Sequence, residues 1–208
     1  MQNYRLLVAV ASIALSSCAT PVDRQLETLA SKAVCCKSFS ELDFETLSVG
    51  KPRESHLDDT SKVMQFQRGK AYVVAFQLPK AQNRALRMEL GLKDNMLGKF
   101  FYLEPELSFL DSNRNILLVS QPVLQFVNMS IIPYVVAHMQ TETSVPDNAD
   151  FVVVHSARQV TGPTAAPVPG APMVVMSGKT PIAIPSGPAQ LQLVPSPTGV
   201  ATVTVLQR

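Results

Sequence analysis

RALRMELGLK, residues 84–93, decides the fold class. Leu86, Met88, Leu90 and Leu92 alternate with Arg87, Glu89, Gly91 and Lys93. A period of two puts the apolar set on one face of an extended strand and the polar set on the other. Just before it, AYVVAFQLP (71–79) is an apolar run stopped by Pro79. Just after it, FFYLEPELSFLDS (100–112) alternates through Phe101, Leu103, Leu107 and Phe109. Pro105 shares that face, which points to an edge strand or a bulge. Glu104 and Glu106 read as the wet side of the strand. Asp111-Ser112-Asn113 is a turn signal, and NILLVS, VLQFVN and IIPYVVAHMQ follow as further strands. Short strands broken by turns at this spacing predict a β-sandwich.

The flanks read differently. Val22, Leu26, Leu29, Ala30 and Ala33 recur at three and four, which predicts a helix over 22–34 with one packing face. TETSVPDNAD (141–150) is polar and has no apolar period, so it is the expected boundary. FVVVHSARQV (151–160) begins a buried strand beyond it. Nine of the 16 prolines fall between Pro163 and Pro197. Proline suits neither helices nor central strands. TGPTAAPVPGAP therefore reads as an extended loop, with short strands at MVV, IAI, LQL and ATVTVL. The expected organisation is a signal segment (1–17), a tether and helix (18–50), a β-sandwich domain (51–140) and a Pro-rich β region (141–208). The fold class is mainly β.

The chain opens MQNYRLLVAVASIALSSCAT, with Arg5 its only charge before Asp23. The apolar run from Leu6 to Leu15 is too short for a spanning helix, which needs about 20 residues. A basic start, a short apolar stretch and small residues at the end read as a secretory signal. Leu15-Ser16-Ser17-Cys18 looks like a bacterial lipobox. In lipoproteins with that motif the cysteine thiol receives diacylglycerol, cleavage falls just before it, and the new amino group is usually acylated. Two lipid chains suffice for stable anchoring. Ala19 is not the aspartate that resembles an inner-membrane retention signal. The expectation is a Gram-negative periplasmic protein held to the outer membrane through Cys18.

The full chain has 208 residues and a formal charge of +2. Loss of residues 1–17 removes only Arg5 and leaves 17 basic against 16 acidic residues, or +1. That balance gives no electrostatic case for nucleic acid. The chain has no Trp. Tyr72, Tyr102 and Tyr134 are the tyrosines left beyond the signal.

With Cys18 lipidated, Cys35 and Cys36 are the remaining thiols. The periplasm permits disulfides. Adjacent Cα atoms sit about 3.8 Å apart, whereas ordinary disulfides want about 4.4–6.8 Å. A vicinal bridge therefore needs a distorted backbone, and buried structural thiols are the simpler reading. Pairing to another chain stays open. Neither CxxC nor HxxxH spacing is present to support a redox or metal site.

The other chemical signals are sparse. His56, His138 and His155 are the three histidines. His138 and His155 lie in apolar strands, where a histidine is usually a satisfied packing residue. His155-Ser156 beside Asp150 invites a catalytic reading, but adjacent strand residues point to opposite faces. Asp58-Asp59 lacks the loop pattern of an EF-hand. No nucleophile elbow, P-loop or dinucleotide fingerprint occurs. No catalytic residue, metal ligand or cofactor is expected, and no ligand-binding residue is assigned.

CCKSFSELDFETL is similar to the opening of the maltose-operon periplasmic protein (MalM) family, with its cysteine pair, Ser-rich stretch and aromatic segment ending in Leu. FQRGKAYVVAFQLP resembles that family's Phe-x-x-Gly-Lys run into an apolar strand and Leu-Pro. FFYLEPELSFLDS resembles its strand with a central proline. ADFVVVHSARQV resembles a later strand that commonly ends in Tyr-Thr, where this chain has His155 and Ser156. The resemblance covers roughly Cys35 to Leu193 and leaves the tail PSPTGVATVTVLQR outside it. It implies a periplasmic accessory protein associated with maltose or maltodextrin uptake, without catalytic residues to carry over. Its partners would be maltodextrins or components of carbohydrate transport. The alternative is a structural envelope lipoprotein that works through protein partners and binds no sugar. The scarcity of aromatic platforms points to weak or indirect sugar contact.

Overall fold

The computed structural model describes residues 21–94, 99–131, 134–156, 162–168, 173–177, 180–184 and 189–208. Helix α1 (Pro21–Ser31) leads into strands β1 (Phe44–Thr46), β2 (Arg53–Leu57), β3 (Lys62–Phe66), β4 (Gly69–Gln77) and β5 (Arg84–Gly91). Then come β6 (Lys93–Asp94), β7 (Lys99–Leu103), β8 (Pro105–Leu110), β9 (Ile116–Ser120), β10 (Gln125–Ile131) and β11 (Tyr134–Ser144). The chain ends with β12 (Phe151–Ser156), β13 (Thr164–Val168), β14 (Met173–Ser177), β15 (Thr180–Ile184), β16 (Ala189–Ser196) and β17 (Gly199–Gln207). The fold is mainly β and sandwich-like, with a short helix at its start.

The first sheet runs β1-β4-β12-β8-β9, with β3 also paired to β4. The second runs β10-β11-β5-β17-β2. Their facing sides make the main core. Leu86, Met88 and Leu90 of β5 join Val203 and Val205 of β17 from one sheet. Tyr72 and Phe76 of β4, Leu107 and Phe109 of β8, and Val152 and Val154 of β12 meet them from the other. The apolar side of RALRMELG is therefore the inner face, as its period of two requires. A third sheet, β13-β16-β7-β6, and a β14-β15 hairpin complete the described strands.

α1 is shorter than its apolar stripe suggested. Only Val22 and Leu29 of that stripe are buried. Leu29 enters the main core. The Lys70 ammonium donates to the Ala30 carbonyl at 2.6 Å and to the Lys32 carbonyl. A cation at a helix C-terminus satisfies open carbonyls and suits the dipole.

Several expectations need correction. FFYLEPELSFLDS is not one strand: it leaves β7 at Leu103 and enters β8 at Pro105, in a different sheet. Pro105 therefore takes the first position of a central strand, where its missing N–H does no harm. Glu104 and Glu106 are buried, so their side of the strand is not wet. The polar stretch 141–150 does not separate the sandwich from a later unit. β12 lies between β4 and β8, and β17 between β5 and β2. The Arg84 guanidinium also pins that stretch, donating to the carbonyls of Pro79 at 2.8 Å, Pro146 at 3.2 Å, Asp147 at 3.1 Å and Ala149 at 2.9 Å. TGPTAAPVPGAP, read as loop, contains β13, which pairs with β16. Finally, the tail beyond the resemblance supplies β17, a central strand of the sandwich.

Candidate functional site

Sidedness follows from the period of two along β12. Val152 and Val154 face the main core, so Val153 and His155 face outward. Outward is not exposed here. Val73, Ala75, Leu110 and Val153 pack with Met64, Cys36 and Leu42 into a second buried cluster. Residues 35–44 form its roof, with a short 3₁₀ turn at Phe39–Glu41.

The roof is stitched to β3 by the backbone. Cys35 N–H donates to the Val63 carbonyl at 2.9 Å, and Cys36 bridges to Met64 in parallel. Cys35 and Cys36 form a disulfide across a Cα separation of 3.8 Å. Cys36 is buried and Cys35 is exposed, so the pair straddles the inside and outside of the roof. From the far side, Arg114 donates Nη1–H to the Ser40 carbonyl at 2.6 Å. Its guanidinium lies 4.9 Å from the Phe44 ring centroid and 5.7 Å from that of Phe151. Arg114 holds a positive φ of 65°, in the turn after β8.

Beneath this roof sits a polar cluster that the chain's linear order conceals. In the β12–β8 register His155 stands opposite Glu106, and Val153 opposite Ser108. His155 Nε2 and Ser108 Oγ share a 3.1 Å hydrogen bond. His155 Nδ1 lies 3.6 Å from Glu106 Oε2. Phe66 stacks on the imidazole, with centroids 4.5 Å apart. Hydroxyl, imidazole and carboxylate thus occur in the order used for acyl transfer. Ser108 and His155 are both buried, however, and Phe66 occupies the imidazole face.

Beside the cluster, a groove of about 390 Å³ opens to solvent. Phe39 and Phe66, with centroids 6.3 Å apart, form its apolar wall. Gln65, Asn113, Asn115 and Lys37 rim it with amides and an ammonium. A second groove, about 450 Å³, lies between Pro21 and Gln25 of α1, His56 of β2 and the β16–β17 turn. At that turn Gly199 is needed for space: a Cβ there would stand 2.9 Å from Leu103 Cβ.

The remaining residues singled out by sequence are scattered. Cys18 lies outside the described residues. Ser156 points away from His155, and its Oγ accepts Tyr72 N–H at 3.1 Å, as opposite faces require. His56 is exposed beside Glu54. His138 is buried, and its Nε2 has no hydrogen-bond partner among the described residues, so it is not the satisfied histidine expected. Asp58 closes the turn between β2 and β3, accepting from Thr60 Oγ at 2.7 Å and Thr60 N–H at 2.8 Å. Those bonds, the hydroxyl's first, hold its carboxyl below the ordinary value. Among the described residues no group of three or more His, Cys, Asp or Glu side chains is placed to hold a metal.

Comparison with family models, with curated proteins and with solved structures found no match for this chain. Sequence reasoning missed Ser108. Its signal was the spacing Glu106-x-Ser108 on one strand face, which gains meaning only through the register with β12.

Proposed function

We propose that this chain is a lipid-anchored periplasmic protein that assists maltodextrin uptake without catalysing a reaction. The observation that carries the reading is Leu15-Ser16-Ser17-Cys18 at the end of a short apolar run, three positions before α1 begins at Pro21. Acylation of Cys18 holds the α1 end of the sandwich against the outer membrane. The resemblance through CCKSFSELDFETL and FQRGKAYVVAFQLP supplies the sugar connection. Those two segments contribute Phe39 and Phe66, the apolar wall of the smaller groove. An apolar ring surface edged by amides suits a sugar, which offers C–H faces and hydroxyl rims. Two phenylalanines without a Trp or Tyr partner make a modest platform, so weak binding is expected. The buried Ser108 hydroxyl supports a non-catalytic role.

Titration calorimetry on a Cys18→Ser form lacking residues 1–17 tests this. Maltodextrins of rising length should give saturable heat that strengthens with length and is lost in Phe39→Ala. A flat trace on folded protein removes direct sugar binding. The reading would then fall to a structural envelope lipoprotein acting through protein contacts.

A further inference from the structure

The larger groove opens at the end of α1 that the anchor reaches. Pro21, the first residue of the helix, stands on its wall. Cys18 lies three positions earlier, and three peptide steps span at most about 11 Å. The headgroup layer of a bilayer is roughly 5–8 Å deep on each side. Lipid chains on Cys18 therefore hold this groove beside the headgroups.

The lining suits a headgroup. Its volume, about 450 Å³, falls in the range of small-ligand sites. Leu92, Phe101 and Val200 give it a half-buried apolar floor. Around them stand one ammonium, Lys93, and one carboxylate, Asp58. Hydrogen bonds from Thr60 to Asp58 keep that carboxylate charged. Gln25 accepts from Ser196 Oγ at 2.8 Å through Oε1, which leaves its amide N–H groups as donors. His56 is the remaining titratable residue among the described ones on the wall, and its Nε2 lies 3.3 Å from Glu54. The groove beside Phe39 differs: Lys37 and Arg114 line it, with no carboxylate among the described residues.

We propose that this groove binds the headgroup of a neighbouring phospholipid that carries both a phosphate and a primary ammonium. Lys93 and the Gln25 amide meet the phosphate oxygens, and Asp58 takes the ammonium. The apolar floor takes the C–H surface of the glycerol. Wall and headgroup thus match charge for charge. A purely anionic headgroup has nothing for Asp58, and a trimethylated one has no N–H to donate to it. The site rests on the reading of Cys18 as the lipidated residue and deepens it. A bound headgroup adds a second hold on the membrane and fixes which side of the sandwich faces the leaflet.

The chain contains no Trp, so Phe101→Trp puts a single fluorescent reporter on the groove floor; Leu92→Trp serves if that change misfolds. The mature acylated chain carrying it is placed in phosphatidylcholine nanodiscs. Stepwise exchange of the lipid for phosphatidylethanolamine should shift the emission saturably, and exchange for phosphatidylglycerol should not. Adding Lys93→Glu or Asp58→Asn should raise the half-saturating lipid fraction about tenfold. Asn at position 58 still accepts from Thr60, so the turn survives; Lys93→Gln serves if Lys93→Glu misfolds. Mass spectrometry of the mature chain reads acylation separately. An unmodified Cys18 overturns the anchor reading and this inference with it. On an acylated chain, no response to phosphatidylethanolamine, an equal response to every lipid, or a response that both substitutions leave unchanged overturns the inference alone. So does a shift produced by inorganic phosphate without any change of lipid.

Discussion

On the outer face of the second sheet, Arg87 and Glu142 stand partly in water, 3.4 Å apart, with Arg208 joining the same carboxylate. On the outer face of the first sheet, Val73, Ala75, Leu110 and Val153 lie under the roof made by residues 35–44. The strands beneath reflect this. From Leu86 on, β5 alternates, apolar inward and polar outward. β8 is buried at every position, and β12 at every position after its first. A sheet covered on both faces reads as a near-continuous apolar run, while a half-covered sheet alternates. Polar side chains trapped on the covered face must then find partners there, and His155 and Ser108 do so with each other.

The largest test of this contrast puts a carboxylate on the covered face and removes one from the wet face. Val153→Glu buries an unpaired charge under the roof and should cost more than about 4 kcal/mol or abolish folding. The reverse exchange on the other sheet, Glu89→Val at an exposed position, should stay within about 0.5 kcal/mol. Urea midpoints measure both. Equal shifts would mean the two faces are equally wet.

Next in size is what holds the roof down. Leu42 is buried in it, so Leu42→Ala should cost about 2–3 kcal/mol through lost contact and a cavity. Reduction of the Cys35–Cys36 disulfide should cost less than about 1 kcal/mol, because the bond joins adjacent residues and breaking it frees very little chain. Melting temperatures with and without reductant give the comparison. A reduction effect as large as that of Leu42→Ala would make the disulfide, and not packing, the fastener.

A smaller effect is expected at the trapped polar cluster. His155→Phe keeps an aromatic ring beneath Phe66 but strands the Ser108 hydroxyl, at a cost of about 1–2 kcal/mol. Adding Ser108→Ala should restore some of that, and the coupling in a double-mutant cycle should be about 1 kcal/mol. Strict additivity would break the claim that the two residues satisfy each other. A fluorophosphonate probe should leave Ser108 unlabelled in folded protein.

How much of this the sequence showed depends on the range of the interaction. The period of two in RALRMELGLK is local, and it located the inner face of the second sheet correctly. The short strands expected at MVV, IAI, LQL and ATVTVL, between the prolines of the last third, are also found as β14, β15, β16 and β17. Glu104 and Glu106 misled because alternation reports sidedness and not exposure; the cover over that side of the sheet comes from segments distant in the chain. The stretch 141–150 looked like a boundary because it is polar and has no apolar period; its first residues end β11, and Arg84 gathers the carbonyls of Pro146, Asp147 and Ala149, a contact no local window contains. Ser108 stayed hidden for the same cause, since it meets His155 across 47 residues.

The wet face makes a weaker but signed prediction. Arg208, and after it Arg87, hydrogen-bond to Glu142 and hold its carboxyl below the ordinary value of 4.5. A carboxyl depressed in the folded state contributes stability above its unfolded value and loses it as pH falls through the folded one. Glu142→Gln should therefore be less stable than the parent at neutral pH, by under about 1 kcal/mol because the pair is solvent-screened. The gap should close as the pH drops below about 4. Raising the salt to about 1 M should shrink it at neutral pH as well. An ion pair roofed over like the first sheet's face would behave otherwise: removing one partner would cost about 3–5 kcal/mol, and salt would change it little. Denaturation curves for parent and variant across pH and salt thus tell which kind of surface Glu142 occupies. A gap that stays wide in salt would erase the contrast between the two faces.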